Sequence, residues 1–406
     1  MKRLWSSPTL RSMVVYGASG LGFSGANIIL ARYLPTQQYA LFTLVIALGN
    51  LGYTLAPAGL DGVVNRRQLE AGPSLLARVI PPAALAGLAM AAIGIAAYGM
   101  SPAMGAMLFV SSAGGGVMLV AGAKFQSERR YGVSLALMQS PNIVLLLAAL
   151  AVVATQDRQA WLPVLISTAG FVAAATYGWR VLLAERHGKP EGKTLIHWRE
   201  ALAFAGINAS GLLLIQLERL LIPHVLPLAD LAVYGVLGAI AGSLFRVLQM
   251  GVGFSLLPRL RAATTVGERR RLIAHEAKLV GGIVVLGSAV IWLLTPLVER
   301  WLLDGKYHLA GSLVLAAIFS GVTKIANAFT KAAASALADP RELALVNILG
   351  WASVGVAVAG AFVGARWGLA GLIYGVGFGW LLRAIVAFAM VVRHLRLPVS
   401  VPATAA

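Results

Sequence analysis

The sequence predicts an all-α polytopic membrane protein with about twelve transmembrane helices in two six-helix lobes. Of its 406 residues, 59% are hydrophobic and only 12% are charged, a balance that soluble globular proteins do not have. Apolar stretches of about 20 residues recur along the whole chain, and this is the length that a helix needs to cross the hydrocarbon core of a bilayer. The short polar and apolar alternation that is typical of membrane β-barrels does not occur in the sequence.

Twelve spans follow from the hydropathy pattern, taken in order from the N-terminus. The first begins close behind Met1-Lys2-Arg3, a start that resembles a signal peptide, but the apolar run continues past Ala26 without a clear cleavage pattern before Arg32. We therefore interpret it as a retained first span. The predicted spans cover residues 12–31, 38–60, 77–99, 103–123, 131–154, 160–183, 200–222, 229–252, 278–298, 309–332, 342–364 and 368–392.

The Lys and Arg residues give an independent indication of orientation. With the N-terminus in the cytoplasm, 24 of the 33 fall on the cytoplasmic side or at the cytoplasmic ends of spans, 5 fall outside and 4 lie deeper within spans. Short cytoplasmic loops of membrane proteins carry such an excess, and one missed or invented span would scramble the alternation that follows it. The distribution predicts that both termini are cytoplasmic.

A long polar link at residues 184–199 divides the chain near its middle, which suggests an internal repeat. A shift of 192 residues aligns Leu34-Pro35 with Leu226-Pro227, although a general preference of outer turns for Leu-Pro would explain this alignment as well. Because each half holds six spans, both halves enter the membrane from the same side, which predicts a parallel repeat about an axis along the membrane normal. We expect an N-terminal lobe at residues 1–190 and a C-terminal lobe at 191–406.

Several function classes receive little support from the composition. The formal net charge is +18, but the basic residues lie in short loops between spans, whereas a nucleic-acid-binding protein gathers them in a patch on a soluble surface. The chain has no cysteine, and its six histidines lie in or near loops, so no metal site or cofactor is predicted. The outer polar residues are scattered over short loops without motif spacing, and we therefore predict a protein that is not an enzyme.

Ionisable residues inside the predicted spans mark the candidate site, because a charge near the bilayer centre costs at least about 2.5 kcal/mol on insertion scales. There are four such cations, Arg219, Arg246, Lys324 and Arg383, and one carboxylate, Glu218. Guanidinium and ammonium groups bind phosphate through charge-assisted hydrogen bonds. The excess of cations therefore predicts an anionic substrate.

Helical spacing adds polar neighbours to this set. Asn327 follows Lys324 by three residues and Gln249 follows Arg246 by three, so each pair shares one helix face. Asn208 precedes the arginine of the seventh span by almost three full turns, which places the two on one side of that helix. The candidates for binding an anionic substrate are Arg246, Lys324, Arg219, Arg383, Asn327, Asn208 and Gln249.

These residues also have structural interpretations. Arg219 can pair with Glu218 or with another carboxylate, and Arg246 and Arg383 can extend inward to lipid phosphates. Glu218 is the candidate for a coupling ion, and its alternative is a salt bridge with a basic neighbour. Asp61, at the inner end of the second span, is expected to cap a helix or to pair with a neighbouring arginine.

Three windows resemble a known family of membrane transporters. Gln216–Ile222, followed by Pro227 and Leu231–Tyr234, is similar to the Gln-x-Asp-Arg-Leu-Leu-Ile segment that leads to Gly-x-Tyr in the polysaccharide-transporter branch of the multidrug, oligosaccharidyl-lipid and polysaccharide flippase superfamily. Residues 29–42 resemble that family's Leu-Ala-Arg-x-Leu-Gly-x-x-x-Tyr-Gly-x-Phe. Gly59–Asp61 resembles the Gly-Leu-Asp that closes its second span.

The resemblance implies two six-helix lobes that form a V around a central cavity, with alternating access of that cavity to the two sides of the membrane. Twelve spans fit the O-antigen and exopolysaccharide flippases, whereas the peptidoglycan-precursor flippases of the superfamily usually have fourteen. The sequence departs from the family pattern at Glu218, where Asp is usual, and at Pro35 and Pro227, near positions where Gly is common.

We therefore expect a flippase of the bacterial inner membrane that moves a polyprenyl-pyrophosphate-linked oligosaccharide, the repeat unit of an O-antigen, capsule or exopolysaccharide, from the cytoplasmic to the periplasmic leaflet. Its expected partners are this lipid-linked substrate, membrane lipids, H+ or Na+ as coupling ion, and a polysaccharide polymerase. A multidrug extruder of the same fold is the first alternative, and its organic-cation substrates favour intramembrane carboxylates. A membrane polysaccharide polymerase or ligase would need a large outer loop with clustered polar residues, which the sequence lacks.

Overall fold

The protein is an all-α polytopic membrane protein, as its composition predicts. The computed structural model describes residues 8–185, 196–242, 265–337 and 340–396, together with Phe245, Leu260 and Ala263. Throughout these ranges the backbone is helical apart from short connections, and it contains no strand there. Nine stretches of the described residues are long and apolar enough to cross a membrane, and one of them, Leu345–Arg396, includes the greater part of two consecutive helices.

The predicted spans fall on helices, except that a turn interrupts the second and the eighth is helical over the part that is described. One short helix, α3, is not predicted by the sequence. The α-helices within the described ranges are α1 (Pro8–Tyr33), α2 (Thr36–Leu55), α3 (Leu60–Arg67), α4 (Pro73–Tyr98), α5 (Pro102–Ser127), α6 (Tyr131–Thr155), α7 (Trp161–Glu185), α8 (Trp198–Val225), α9 (Leu228–Leu237), α10 (Val266–Leu297), α11 (Gly311–Leu337), α12 (Pro340–Gly364) and α13 (Gly368–Arg396). π-helical turns extend α9 over Gly238–Gly242 and α10 over Val298–Leu302.

A tight turn separates α2 from α3, although the sequence predicts one continuous span over residues 38–60. Ala58 and Gly59 have φ angles of +49° and +80°, which end the α-helical path after Leu55. A β-carbon on Gly59 would lie 1.9 Å from the carbonyl oxygen of Ala201 in α8. Hydropathy does not reveal this turn because glycine and leucine continue the apolar run.

The chain forms two compact units, Met1–Ala239 with Leu302–Lys306, and Ile240–Trp301 with Tyr307–Ala406. In the first unit α5 packs against α2, α3, α4, α6 and α7, and α2 also packs against α8 and α9. The division into lobes at residue 190, which concerns an internal repeat, remains a prediction.

In the second unit α13 packs along both α11 and α12. The contact with α12 is made by backbone, since a β-carbon on Gly375 would lie 2.1 Å from the carbonyl oxygen of Gly360. A β-carbon on Gly371 would likewise lie 2.2 Å from the carbonyl oxygen of Gly364. Small residues that let backbones approach are the usual means of packing membrane helices. They fix α13, which carries part of the candidate site.

Candidate functional site

A row of cations and polar groups lies where α11 and α13 meet. Lys324, Asn327 and Lys331 share one face of α11, because steps of three and four residues return to the same side of a helix. The Nζ atom of Lys324 lies 5.9 Å from the ring centroid of Trp380 in α13, within the range of a cation–π interaction. Further along both helices, Lys331 is close enough to Arg383 for their positive charges to repel each other. We call these five residues the α11–α13 site.

Three of the five residues of the α11–α13 site are buried, whereas Lys324 is half-buried and Lys331 is exposed. Trp380, Arg383 and Asn327 are only 2%, 4% and 5% exposed. Neither α11 nor α13 contains an aspartate or a glutamate. Glu342, in the first turn of α12, contacts Arg393 at 3.7 Å and His394 at 2.5 Å near the C-terminal end of α13. The two helices α11 and α13 therefore contribute positive charge and no carboxylate to the site.

A second buried cluster surrounds Arg219 between α8 and α9. Its Nη1 donates to Oε1 of Gln216 at 3.0 Å, and its guanidinium lies 5.9 Å from the ring centroid of Tyr234. Glu218, the next residue to Arg219 in the helix, is fully buried, but adjacent residues in a helix do not face each other. The guanidinium therefore points toward α9, where it also approaches Gly238 at the start of the π-helical turn.

Three of the predicted site residues cannot be placed in either cluster. Arg246 and Gln249 lie outside the described residues, and so does the side chain of Asn208, although its backbone belongs to α8. Of the predicted residues, the structure brings together Lys324, Asn327 and Arg383, and it places Arg219 and Glu218 in the separate α8–α9 cluster. The binding role of all of these residues remains a prediction.

The first unit contains a largely apolar cavity with several polar groups in its wall, which the sequence does not predict. Ser19 of α1 donates to Oε1 of Gln139 at 2.6 Å, and Asn142 donates to Ser19 at 2.6 Å and to Gln139 at 3.2 Å. Asn142 also lines a cavity of about 50 Å³, enough for a few water molecules. The other polar groups in its wall are Asn50, Ser111, Ser167 and Thr168.

Pro141 shapes one wall of this cavity. Proline has no N–H, so it leaves the carbonyl oxygen of Leu137 without its usual helical donor. The hydroxyl of Ser140 donates to that oxygen at 2.8 Å. The polar residues of the cavity are all uncharged, whereas the site predicted from the sequence rests on ionisable residues inside spans. Neutral polar residues at the middle of four different spans are the signal that could have found it.

Two arginines of α3 form ion pairs with α8 in the first unit. Arg67 contacts Glu200 at 2.7 Å and Arg66 contacts it at 3.4 Å. Asp61 instead accepts hydrogen bonds from the backbone of Asp61 and Gly62, and burial raises the pKa of its carboxyl group above the usual 3.8. Of the two roles expected for Asp61, capping is the one that these contacts support.

The ammonium group of Lys306 caps the C-terminal end of α1. It donates to the carbonyl oxygen of Ala31 at 2.8 Å and also to those of Arg32 and Leu34. A cation at a helix C-terminus satisfies unpaired carbonyls and complements the helix dipole. Burial, reinforced by the nearby charge of Arg158, lowers the pKa of Lys306 below 10.5. Among the described residues, no group of three His, Cys, Asp or Glu side chains is placed to hold a metal ion.

Comparisons with known proteins identify the fold through solved structures. No family model and no curated protein matches the chain. An inward-facing multidrug resistance MATE family transporter of the MOP superfamily superposes with a TM-score of 0.66 at 13% identity, over 94% of this chain and 98% of that one. The lipid II flippase MurJ in an inward closed conformation superposes with a TM-score of 0.62 at 10% identity, over 94% and 87%.

The chain has the fold of the MATE and MurJ transporters. A eukaryotic MATE transporter, AtDTX14, agrees with a TM-score of 0.57 at 12% identity over 94% of this chain and 95% of that one. The MATE–MurJ fold accounts for nearly the whole chain, and identities of 10–13% make this a likeness of fold.

Proposed function

We propose that this protein is a flippase of the bacterial inner membrane that moves a polyprenyl-pyrophosphate-linked oligosaccharide from the cytoplasmic to the periplasmic leaflet. The observation that carries the proposal is the α11–α13 site, in which Lys324, Lys331 and Arg383 gather on two helices that have no carboxylate. Charges inside a membrane protein are costly and are usually kept for a substrate or ion pathway. Phosphate oxygens are the natural partners of such cations.

The substrate's two ends would experience different surroundings. The pyrophosphate would lie against the ammonium groups of Lys324 and Lys331, which are separated by about 10.5 Å along α11 at 1.5 Å per residue. The polyprenyl chain would remain in lipid, where it loses no hydrophobic stabilisation. Alternating access of the site would then carry the polar head group across, as the fold shared with a lipid II flippase supports.

A multidrug transporter of the same fold is the second candidate, since MATE structures cover the chain as completely as MurJ does. Organic cations would be repelled by the positive charges of the α11–α13 site. Glu218 of α8, which is fully buried, is the residue that favours this alternative. In the flippase proposal Glu218 is instead the candidate for H+ or Na+ coupling. We do not propose that the protein is itself a polymerase or ligase, and we propose a polysaccharide polymerase only as a partner.

The two candidates can be separated with purified protein in liposomes. One set of liposomes carries a fluorescent undecaprenyl-pyrophosphate-linked oligosaccharide, and another is loaded with ethidium. The flippase proposal predicts that the wild-type protein moves the lipid to the other leaflet and that Lys324→Ala slows this movement. Export of ethidium without movement of the lipid would overturn the proposal in favour of the multidrug alternative.

A further inference from the structure

Two buried polar atoms of the α11–α13 site lack a hydrogen-bond partner among the described residues. They are Oδ1 of Asn327 and Nε1 of Trp380, and both residues are at least 95% buried. Native proteins satisfy most buried polar groups, because an unpaired one carries its full desolvation penalty. An apolar residue of similar shape at either position would avoid that penalty. Packing alone therefore does not account for these two side chains.

Neighbouring hydroxyl groups do not supply the missing partners. Thr323 donates to the carbonyl oxygen of Ser320 at 3.0 Å, and Thr330 donates to that of Ala326 at 2.9 Å. Each hydroxyl has a single proton, so both are committed to the backbone of α11. The unpaired atoms are next to the cations instead, with the Trp380 ring 5.9 Å from Nζ of Lys324 and Asn327 one helical turn from that lysine.

The chemistry of these atoms defines the groups that would satisfy them. The indole N–H of Trp380 can only donate, so it requires an acceptor, and an anionic oxygen there would also attract the nearby ammonium group of Lys324. The amide oxygen of Asn327 can only accept, so it requires a donor such as a hydroxyl group. A sugar joined to a phosphate offers both kinds of group within a short distance. An organic cation offers no anionic oxygen for Trp380.

We propose that Asn327 and Trp380 are substrate-positioning residues that hold the junction between the phosphate and the first sugar of the lipid-linked substrate. The indole N–H of Trp380 donates to a phosphate oxygen that Lys324 also contacts, and Oδ1 of Asn327 accepts from a hydroxyl of the sugar. This inference rests on the proposed flippase function. Because both atoms are shielded from solvent in this conformation, the substrate reaches them only when α11 and α13 separate locally.

The test uses the substitutions Asn327→Leu and Trp380→Phe, which remove the polar atoms; because Trp380→Phe also removes side-chain volume, its control makes the same change. Asn27→Leu and Trp179→Phe are matched controls, because these buried side chains donate to the carbonyl oxygens of Phe23 at 2.8 Å and Val117 at 2.9 Å. Thermal unfolding in detergent and flipping of the fluorescent undecaprenyl-pyrophosphate-linked oligosaccharide are measured for all five proteins. Flipping is expressed per folded molecule.

We expect each site variant to unfold at a higher temperature than its matched control, and to flip the lipid at least about tenfold more slowly than wild type. The two control variants should unfold at lower temperatures and flip at the wild-type rate. Wild-type flipping by both site variants, or unfolding as early as the controls, would overturn the inference and leave the flippase proposal standing. A wild-type protein that moves no lipid would overturn the flippase proposal and this inference with it.

Discussion

Replacement of Gly375 by alanine tests the packing that holds α13 in place. The new β-carbon would lie 2.1 Å from the carbonyl oxygen of Gly360, whereas real β-carbons stay at least 3.0 Å from such atoms. The helices must therefore separate by 0.9 Å at this point, because the obstructing atom belongs to the backbone and cannot rotate away. Overpacking of this kind typically costs about 1–3 kcal/mol. Alanine recovers about 1 kcal/mol through its higher helix propensity, so we expect a net loss of up to about 2 kcal/mol.

Gly355→Ala is the matched control, since it lies on α12 and its β-carbon would meet no atom within 4 Å. The same gain in helix propensity should then appear alone, as stabilisation of up to about 1 kcal/mol. Thermal unfolding of the purified proteins in detergent measures both effects at one heating rate. If Gly375→Ala unfolds at the temperature of Gly355→Ala or above it, the contact between α12 and α13 is not as close as described.

Three further outcomes follow from the polar contacts of the first unit. Because burial raises the pKa of Asp61, the folded state binds the proton more tightly than the unfolded state does, and it loses stability as pH rises above 3.8. Asp61→Asn should therefore unfold at a higher temperature than wild type at pH 7 but not below pH 3.8. An equal difference in unfolding temperature at every pH would contradict this. Glu200→Arg should lower the unfolding temperature, and the addition of Arg67→Glu to this variant should restore part of the loss. If the double variant unfolds no later than Glu200→Arg alone, the 2.7 Å contact contributes no stability. Lys306→Met should speed amide hydrogen exchange in the last turn of α1 relative to Lys306→Arg, and equal exchange would exclude a capping role.

The transmembrane helices could be predicted from the sequence because their length is set by the bilayer, which every span must cross. The turn at Ala58 and Gly59 could not, since it depends on two φ angles and on the approach of α8. The sequence does not predict α3 as a separate helix, because this turn is what separates it from α2. Local backbone geometry leaves no trace in a hydropathy profile.

The candidate site, too, can be predicted from the sequence only in part. Lys324, Asn327 and Arg383 were identifiable because charge and polarity inside a span are rare. Trp380 was not, because tryptophan is ordinary in a membrane helix and becomes informative only when its N–H is found buried and unpaired. The cavity lined by Asn142 was missed since its polarity comes from neutral residues on several helices. Such groups are recognisable only when the helices have been assembled.

Dependence of lipid flipping on the charge of Lys324 is the most direct test of the central claim. Lys324→Gln removes the charge, Lys324→Arg keeps it, and Lys278→Gln makes the same change at an exposed position of α10. In liposomes that contain fluorescent undecaprenyl-pyrophosphate-linked oligosaccharide, we expect Lys324→Gln to flip the lipid at least about tenfold more slowly than Lys278→Gln, with Lys324→Arg retaining most of the rate. Equal rates for Lys324→Gln and Lys278→Gln would contradict the claim that this site binds the anionic head group.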